Sequence, residues 1–349
     1  MVNVLNNQPF KARAALLLSL FCFCIFTAAC QPKEKFQTVL FTGATMGTTY
    51  NIKIVVPKSQ PAPGADVQTR IDLLLKEFNQ SLSTYIPDSE LMQFNAAPVG
   101  EWVAVSSRFL GVLTLSNRIS QLSGGAFDPT VGPLVNLWGF GPDWHKDKKP
   151  SDDQIAALMG EVGYQAVEVD ADGHRVKKTK TLKLDFSAVA KGYGVDEVAD
   201  LLWSEGFHHF MVEIGGELRL HGHNASGDAW RIGVEAATSG GKIKPIAVSE
   251  VGVATSGDYR NYFEEDGIRY SHTIDPTTGK PINHNLASVT VIAATSGEAD
   301  ALATAFTVLG GDRAMALAEQ EGIPMYIIER KGEGFSVRYS TTFAPYLLP

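Results

Sequence analysis

The sequence is short of cysteine, of charge and of any long apolar run. Its three cysteines, Cys22, Cys24 and Cys30, all lie within the first 30 of 349 residues, so the rest of the chain has no disulfide, zinc cluster or thiol chemistry to offer. Charged residues make up 19% and hydrophobic ones 44%, proportions that exclude a disordered, collagen-like or polytopic membrane chain. Lys and Arg form no cluster, and at 30 against 38 Asp+Glu they leave a formal net charge of −8. That argues against a nucleic-acid partner, because phosphate contacts want clustered cations. No internal repeat is present, and no P-loop. What is present is length for one large or two medium domains with sizeable cores. Glycine is abundant at 33 residues, above the usual ~7%, so turns and close backbone approaches to a ligand matter.

The N-terminus reads as an address. Residues 1–29 hold Lys11 and Arg13, no acid, and the apolar run Ala14 to Phe26, which is well short of the ~20 residues that cross a bilayer and fits a secretion signal. The run ends in Thr27-Ala28-Ala29-Cys30, similar to a bacterial lipobox in which the cysteine becomes the lipidated first residue. The alternative is an ordinary signal cleaved near Ala29 with Cys30 a free thiol. A diacylated Cys30 would give two-chain, stable membrane attachment, and loss of residues 1–29 takes the net charge from −8 to −10. Gln31, where an inner-membrane retention signal has Asp, favours the outer membrane. Residues 30–36 then form a polar tether.

Beyond it, Val39 to Val56 reads as strand, turn, strand around Met46-Gly47, and 57–66 as a loop rich in Pro, Gly and Ser. Periodicity predicts helices over 67–80, 106–122, 152–162, 192–205, 298–308 and 312–320, the third opened by the capping box Ser151-Asp-Asp-Gln154. Strands are predicted at 166–169, 181–184, 210–214, 230–234, 288–292 and 325–329. Because strands and helices do not alternate strictly, the class is α+β.

Three segments carry chemistry. In Ser123-Gly-Gly-Ala-Phe-Asp-Pro-Thr-Val-Gly-Pro-Leu134 a Gly-rich bend precedes an aromatic and a carboxylate; it is either an anion-binding bend or a helix C-cap with a Pro-stiffened loop. In Asp185 to Asp196 a strand ends in a carboxylate and Lys191-Gly192 opens a helix; this is either a phosphate site at a helix N-terminus or ordinary surface charge. In Gly297 to Phe306, Asp300 and Thr304 stand four apart on one helix face. With nearby carbonyls they make an oxygen-only set suited to Mg²⁺, unless Thr304 bonds back to its own helix and Asp300 serves the helix N-terminus. His272 is a base near neutral pH or a structural histidine. It is preferred to His145, His174, His208, His209, His221, His223 and His284, which fall in polar loops, turns or strand ends, and Asp275 is placed to orient its ring.

Together these segments resemble the ApbE family of FAD:protein FMN transferases. The marks run from about Thr45 to Leu309: Met46-Gly-Thr-Thr-Tyr50, Ser83-Thr-Tyr85, Ser89 to Asn95, Gly125 to Leu134, Leu137-Trp-Gly-Phe140, Asp185 to Asp196, Glu213-Ile-Gly-Gly216, Thr255 to Tyr259, His272 to Pro281 and Ala299 to Thr304. The resemblance implies mixed or antiparallel sheets with packed helices over 37–349, divisible into two subdomains around an FAD cleft. It implies Mg²⁺-dependent transfer of FMN from FAD to a Thr or Ser hydroxyl of a target protein with release of AMP. By position, Met46, Tyr85, Ala126, Phe127, Asp128, Asp185, Lys191 and Ile274 would line the FAD site. The Ala188 carbonyl, Asp300 and Thr304 would hold the metal. Acceptors would be subunits of membrane redox pumps with a Thr-containing motif, met at the periplasmic face of a membrane. Two other readings use the same residues: hydrolysis of FAD to FMN and AMP, and a lipoprotein that binds FAD without chemistry.

Overall fold

The computed structural model describes residues 34–141, 149–234, 244–257, 262–265 and 268–348. The signal segment and Cys30 lie outside them, as do His145, Asp258 and Tyr259. Eight strands form one antiparallel sheet whose spatial order is their order in the chain: β1 (Phe36–Thr45), β2 (Thr48–Pro57), β3 (Phe210–Ile214), β4 (Glu217–His221), β5 (Val251–Gly257), β6 (Leu286–Ala293), β7 (Met325–Lys331) and β8 (Gly334–Tyr339). The sheet is thus a meander, and the other described helices and hairpins are excursions between neighbouring strands, apart from the segment 340–348 that follows β8. The α+β expectation holds. β1 begins at Phe36, one residue inside the expected tether, and pairs with Pro57 of β2.

The longest excursion, between β2 and β3, carries α1 (Ala65–Leu82), α2 (Ser107–Leu122) and α3 (Ala190–Ser204). In α1 the buried stripe Val67, Ile71, Leu75, Phe78 and Leu82 follows the helical repeat; its first three residues pack with Ile52, Ile54 and Val212 of the sheet, and Phe78 and Leu82 join the main core. Each such side chain contributes roughly 1.5–3 kcal/mol on burial. Between β6 and β7 come α4 (Ser296–Leu309) and α5 (Gly311–Glu321). Phe306 of α4 joins Phe94, Phe109 and Phe186 in the main core. The other sheet face is covered by the hairpin 230–234/244–248 and Phe343. β6, covered on both faces, is buried at seven of eight positions, Ser288 and Thr290 included.

The predicted helices are all present, with boundaries shifted by a few residues, and the Ser151–Gln154 capping box forms as expected. One predicted strand does not exist. Leu182 and Leu184 are buried on either side of Lys183, which imitates strand alternation. Yet the Leu184 backbone pairs with the Asn95 side chain, donating to Oδ1 at 2.7 Å and accepting from Nδ2 at 2.8 Å, and the Asp185 N–H goes to Pro129 O at 2.7 Å. Central strands β4 and β5 escape the sequence pattern: β4 carries Glu217, Arg219 and His221, and β5 is Val-Gly-Val-Ala-Thr-Ser-Gly, with few of the bulky residues that mark strands.

Candidate active site

A cavity of about 680 Å³ opens among the meander, the N-terminus of α3, the Asp300–Thr304–Val308 face of α4, and the loops around 126–141, 185–188 and 272–276. Its position follows from local chemistry. α2 ends at Ser123, and Gly124 and Gly125 both take positive φ, so the bend is a helix C-cap that also delivers Ala126, Phe127 and Asp128 to the cavity. The Asp128 carboxylate stiffens that loop, accepting from the Thr130 N–H at 2.8 Å and the Tyr164 N–H at 3.1 Å. Burial pushes it above the ordinary carboxylate range despite those bonds. Asp185 closes its own turn through the Ser187 N–H at 2.8 Å and lines the same space.

The charged part of the lining comes from α3, α4 and the β3–β4 turn. Lys191 Nζ lies 3.1 Å from Glu217 Oε1 and 3.9 Å from Asp300 Oδ2. Burial acts against the Lys191 charge, but Asp300 and Glu217 outweigh it and hold the ammonium above its usual range. The same burial raises Asp300, with Lys191 and the Gly192 N–H opposing. Burial and the Asp300 charge push Glu217 up to about 8. Its Oε2 is buried without a hydrogen bond. Gly215 and Gly216, with φ of 62° and 109°, make the tight turn that sets Glu217 beside Lys191.

Here α3 and α4 meet at their N-termini and cap each other. Asp300 Oδ2 accepts the Gly192 N–H at 3.0 Å, while Asp196 accepts the Ser296 and Gly297 N–H groups at 2.8 Å each. Gly192 is required, since a Cβ there would stand 2.4 Å from Ser296 O. Asp300 therefore serves the N-terminus of the other helix rather than its own. It is Thr307, three residues after Thr304, whose hydroxyl bonds back into α4, at 2.7 Å to Ala303 O. Thr304 and Ala188 line the cavity with Asp300. Because the Gly192 N–H is diverted to Asp300, it does not close the helical bond to the Ala188 carbonyl four residues back. A carboxylate, a hydroxyl and a carbonyl on one cavity suit a hard divalent cation. Among the described residues no group of three or more His, Cys, Asp or Glu could hold a metal ion, so a softer, nitrogen- or sulfur-bound ion has no such cluster there.

His272 lines the cavity edge-on to Phe140, ring centroids 6.3 Å apart. Ile274 lines it while packing on Leu134, Trp138 and Ile155. Tyr85 is its exposed aromatic, 69% accessible. Asp275 spends Oδ1 on the Thr277 N–H at 2.8 Å, within its own turn. Of the expected FAD-site residues, Met46 is the one that does not line the cavity. It holds φ of 51° in the β1–β2 turn, and its methyl reaches the α3 backbone, 2.7 Å from where a Cβ on Gly194 would stand. Turn geometry and core packing have taken it elsewhere.

Glu217 and Thr290 also line the cavity and were not singled out from the sequence, whereas Glu213 and Thr255, which line it too, lie in blocks that were. Glu217 directly follows the Glu213-Ile-Gly-Gly216 block. A carboxylate just past a Gly-Gly turn between two short strands was the available signal.

A family model for the ApbE family matches residues 46–327. The chain is similar to the FAD:protein FMN transferase of Vibrio cholerae, 45% identical over 329 residues that cover 93% of this chain and 96% of the relative. It is also similar to that of Haemophilus influenzae, 42% identical over 323 residues, 90% of this chain and 93% of the relative. The solved structure of the flavin transferase ApbE from Vibrio cholerae superposes with a TM-score of 0.83 at 44% identity, over 89% of this chain and all of that one.

Proposed function

The chain belongs to the ApbE family, and from that premise we propose that it transfers FMN from FAD to a Ser or Thr hydroxyl of a target protein and releases AMP. The observation that carries the reading is Lys191 from the first turn of α3 and Asp300 and Thr304 from α4 together on a 680 Å³ cavity that also holds Tyr85, Phe127 and Ile274. An ammonium attracts a pyrophosphate, and apolar rings offer a face to a flavin. In an acidic protein these groups are what make an anionic substrate bind.

Asp300, Thr304 and the Ala188 carbonyl would hold Mg²⁺, which when bound supplies charge neutralisation at the pyrophosphate. The acceptor hydroxyl attacks the FMN-side phosphorus. The new O–P bond forms as the P–O bond to AMP breaks, and its electron pair leaves with AMP. His272 takes the hydroxyl proton, a role suited to an imidazole near neutral pH. Lys191 orients the pyrophosphate, and Phe127 and Tyr85 hold the flavin end. Such transfers depend mainly on in-line positioning and charge neutralisation.

The reading extends to location: a lipid on Cys30 holds the enzyme at the periplasmic face of a membrane, where the acceptors are redox-pump subunits. Cys30→Ala should move the chain to the soluble fraction, and persistence in membranes would reject the anchor. The activity itself is tested by incubation with FAD and Mg²⁺, with and without periplasmic extract, followed by AMP assay and in-gel flavin fluorescence. Acceptor-dependent AMP release with a fluorescent band supports transfer. AMP release at the same rate with no band makes the protein an FAD pyrophosphatase, and no AMP in either arm leaves only FAD binding.

A further inference from the structure

Asp196 is the seventh residue of α3, two turns from that helix's own N-terminus, so it has no local capping task. α4 also has its own cap, with Thr295 Oγ1 accepting the Glu298 N–H at 3.2 Å. The first N–H groups of a helix have no intrahelical partner and are met by local capping side chains, water or ligands. In α4 the Ser296 and Gly297 N–H groups are instead captured by the two oxygens of one carboxylate from a different helix.

That bond is one side of a closed frame. Asp196 reaches from α3 to residues 296 and 297, and Asp300, one turn further along α4, reaches back to Gly192, one turn before Asp196. A slide of α4 by a fraction of its ~5.4 Å pitch, or a small rotation, would break both. Arg219 of β4 reinforces the same end, standing 3.7 Å from Asp196 Oδ1 and donating to the Ala294 carbonyl just before α4. Burial lifts Asp196 to about 6, which leaves it ionised at neutral pH, with Arg219 favouring and Asp200 opposing that charge. Asp196 does not line the cavity.

We propose that Asp196 is a positioning residue for the cation-binding helix: it fixes the axial and rotational placement of α4 against α3, on which the shared aim of Asp300 and Thr304 into the cavity depends. The inference rests on the reading of Asp300 and Thr304 as cation ligands. It does not follow from either residue being a ligand, since a helix held only by its apolar face could carry them equally well. Mg²⁺ tolerates little departure from octahedral geometry, so misplacement of the pair should appear in metal affinity before it appears in flavin binding.

The probe is Mn²⁺ alone, titrated into the full chain and followed by electron paramagnetic resonance, with folding checked by circular dichroism. Asp196→Asn keeps one acceptor oxygen but sets an amide N–H against the second backbone N–H. It should weaken Mn²⁺ binding about tenfold, the scale found for residues that orient metal ligands. The Mg²⁺ concentration for half-maximal AMP release should rise in parallel, while KM for FAD at saturating Mg²⁺ stays unchanged. Asp196→Glu keeps the charge and lengthens the arm by one methylene. It should also weaken Mn²⁺ binding, and it carries the test if the Asn variant does not fold. Asp300→Ala is the reference. If it loses Mn²⁺ binding while folded Asp196 variants bind like the parent, the inference is overturned and the metal reading stands. If KM for FAD and the Mg²⁺ requirement rise together, Asp196 is merely structural and the inference is again overturned. If Asp300→Ala binds Mn²⁺ like the parent, the metal reading falls and takes the inference with it.

Discussion

Glu217 and Asp300 stand 3.1 and 3.9 Å from the Lys191 ammonium, on elements whose spacing is set by a glycine at which a Cβ would stand 2.4 Å from a carbonyl oxygen. Phe127, Phe140, His272, Ile274 and Tyr85 reach the same cavity from loops and short hairpins, through ring edges and apolar packing. The two parts of the lining differ in tolerance. Charges in a buried setting interact steeply with distance, so their supports must be stiff, and the frame between α3 and α4 makes them so. Apolar contact is broad and non-directional, so loops suffice. The division of labour that follows is placement of the Lys191–Asp300 pair by helices and ligand shape by loops, with Glu217, Asp128 and Asp185 held by turns.

His272 is the residue that would break this division, because it comes from the loop part yet is assigned a proton. General-base catalysis usually contributes about 10²–10⁴-fold. His272→Asn should depress FMN transfer by that order with FAD affinity nearly unchanged, as read by single-turnover kinetics and calorimetry. A loss of FAD binding in proportion to activity would return His272 to ligand shape and restore the simple division. Normal transfer would remove it from the mechanism.

The charged part should also show a stability penalty of its own. Glu217 is raised to about 8 by burial and by Asp300, against an ordinary value near 4.5. A folded pKa above the unfolded one means that the native state binds the extra proton. The stabilisation is full below about 4.5 and is lost as pH rises through about 8. Without added metal, the melting temperature should therefore decline between these limits, and Glu217→Gln should flatten the decline. Asp300, raised in the same direction, keeps part of the slope. Equal slopes in parent and variant would show that the Glu217 proton is not coupled to folding.

How much of this was legible in the sequence depended on the range of the interaction. The helices follow from local periodicity, and the Ser151–Gln154 cap formed as written. Asp300 and Thr304 could be placed on one face by counting alone. The false strand at 181–184 had the right alternation, but its hydrogen-bond partner was a side chain 89 residues away, Asn95. Strands β4 and β5 were missed because charged, small or glycine residues interrupt their few apolar ones, and their neighbours supply the order. The mutual capping of Asp196 and Asp300 joins residues about a hundred positions apart, and no spacing announces it. Met46 shows the converse: a motif position whose side chain is drawn into the core by the turn that carries it.

The smallest effect should come from Tyr85, and it sharpens the comparison from the apolar side. Phe127 is the poorer probe, since it is 3% exposed and its truncation would cost about 3–5 kcal/mol of folding stability, confounding any change in binding. Tyr85 is 69% exposed at the cavity, so Tyr85→Ala removes a ring with little cost to the core. An aromatic contact is worth about 0.5–1.5 kcal/mol beyond area burial, which corresponds to roughly a two- to twelvefold weaker Kd. Calorimetry without Mg²⁺, so that no turnover intervenes, should show that loss for FAD and for FMN but not for AMP, because the ring is proposed to meet the flavin rather than the adenine. An equal loss for AMP would move Tyr85 to the adenine end. Parent-like affinity for all three would mean that Tyr85 borders the cavity without touching the ligand, leaving the buried rings to define its shape.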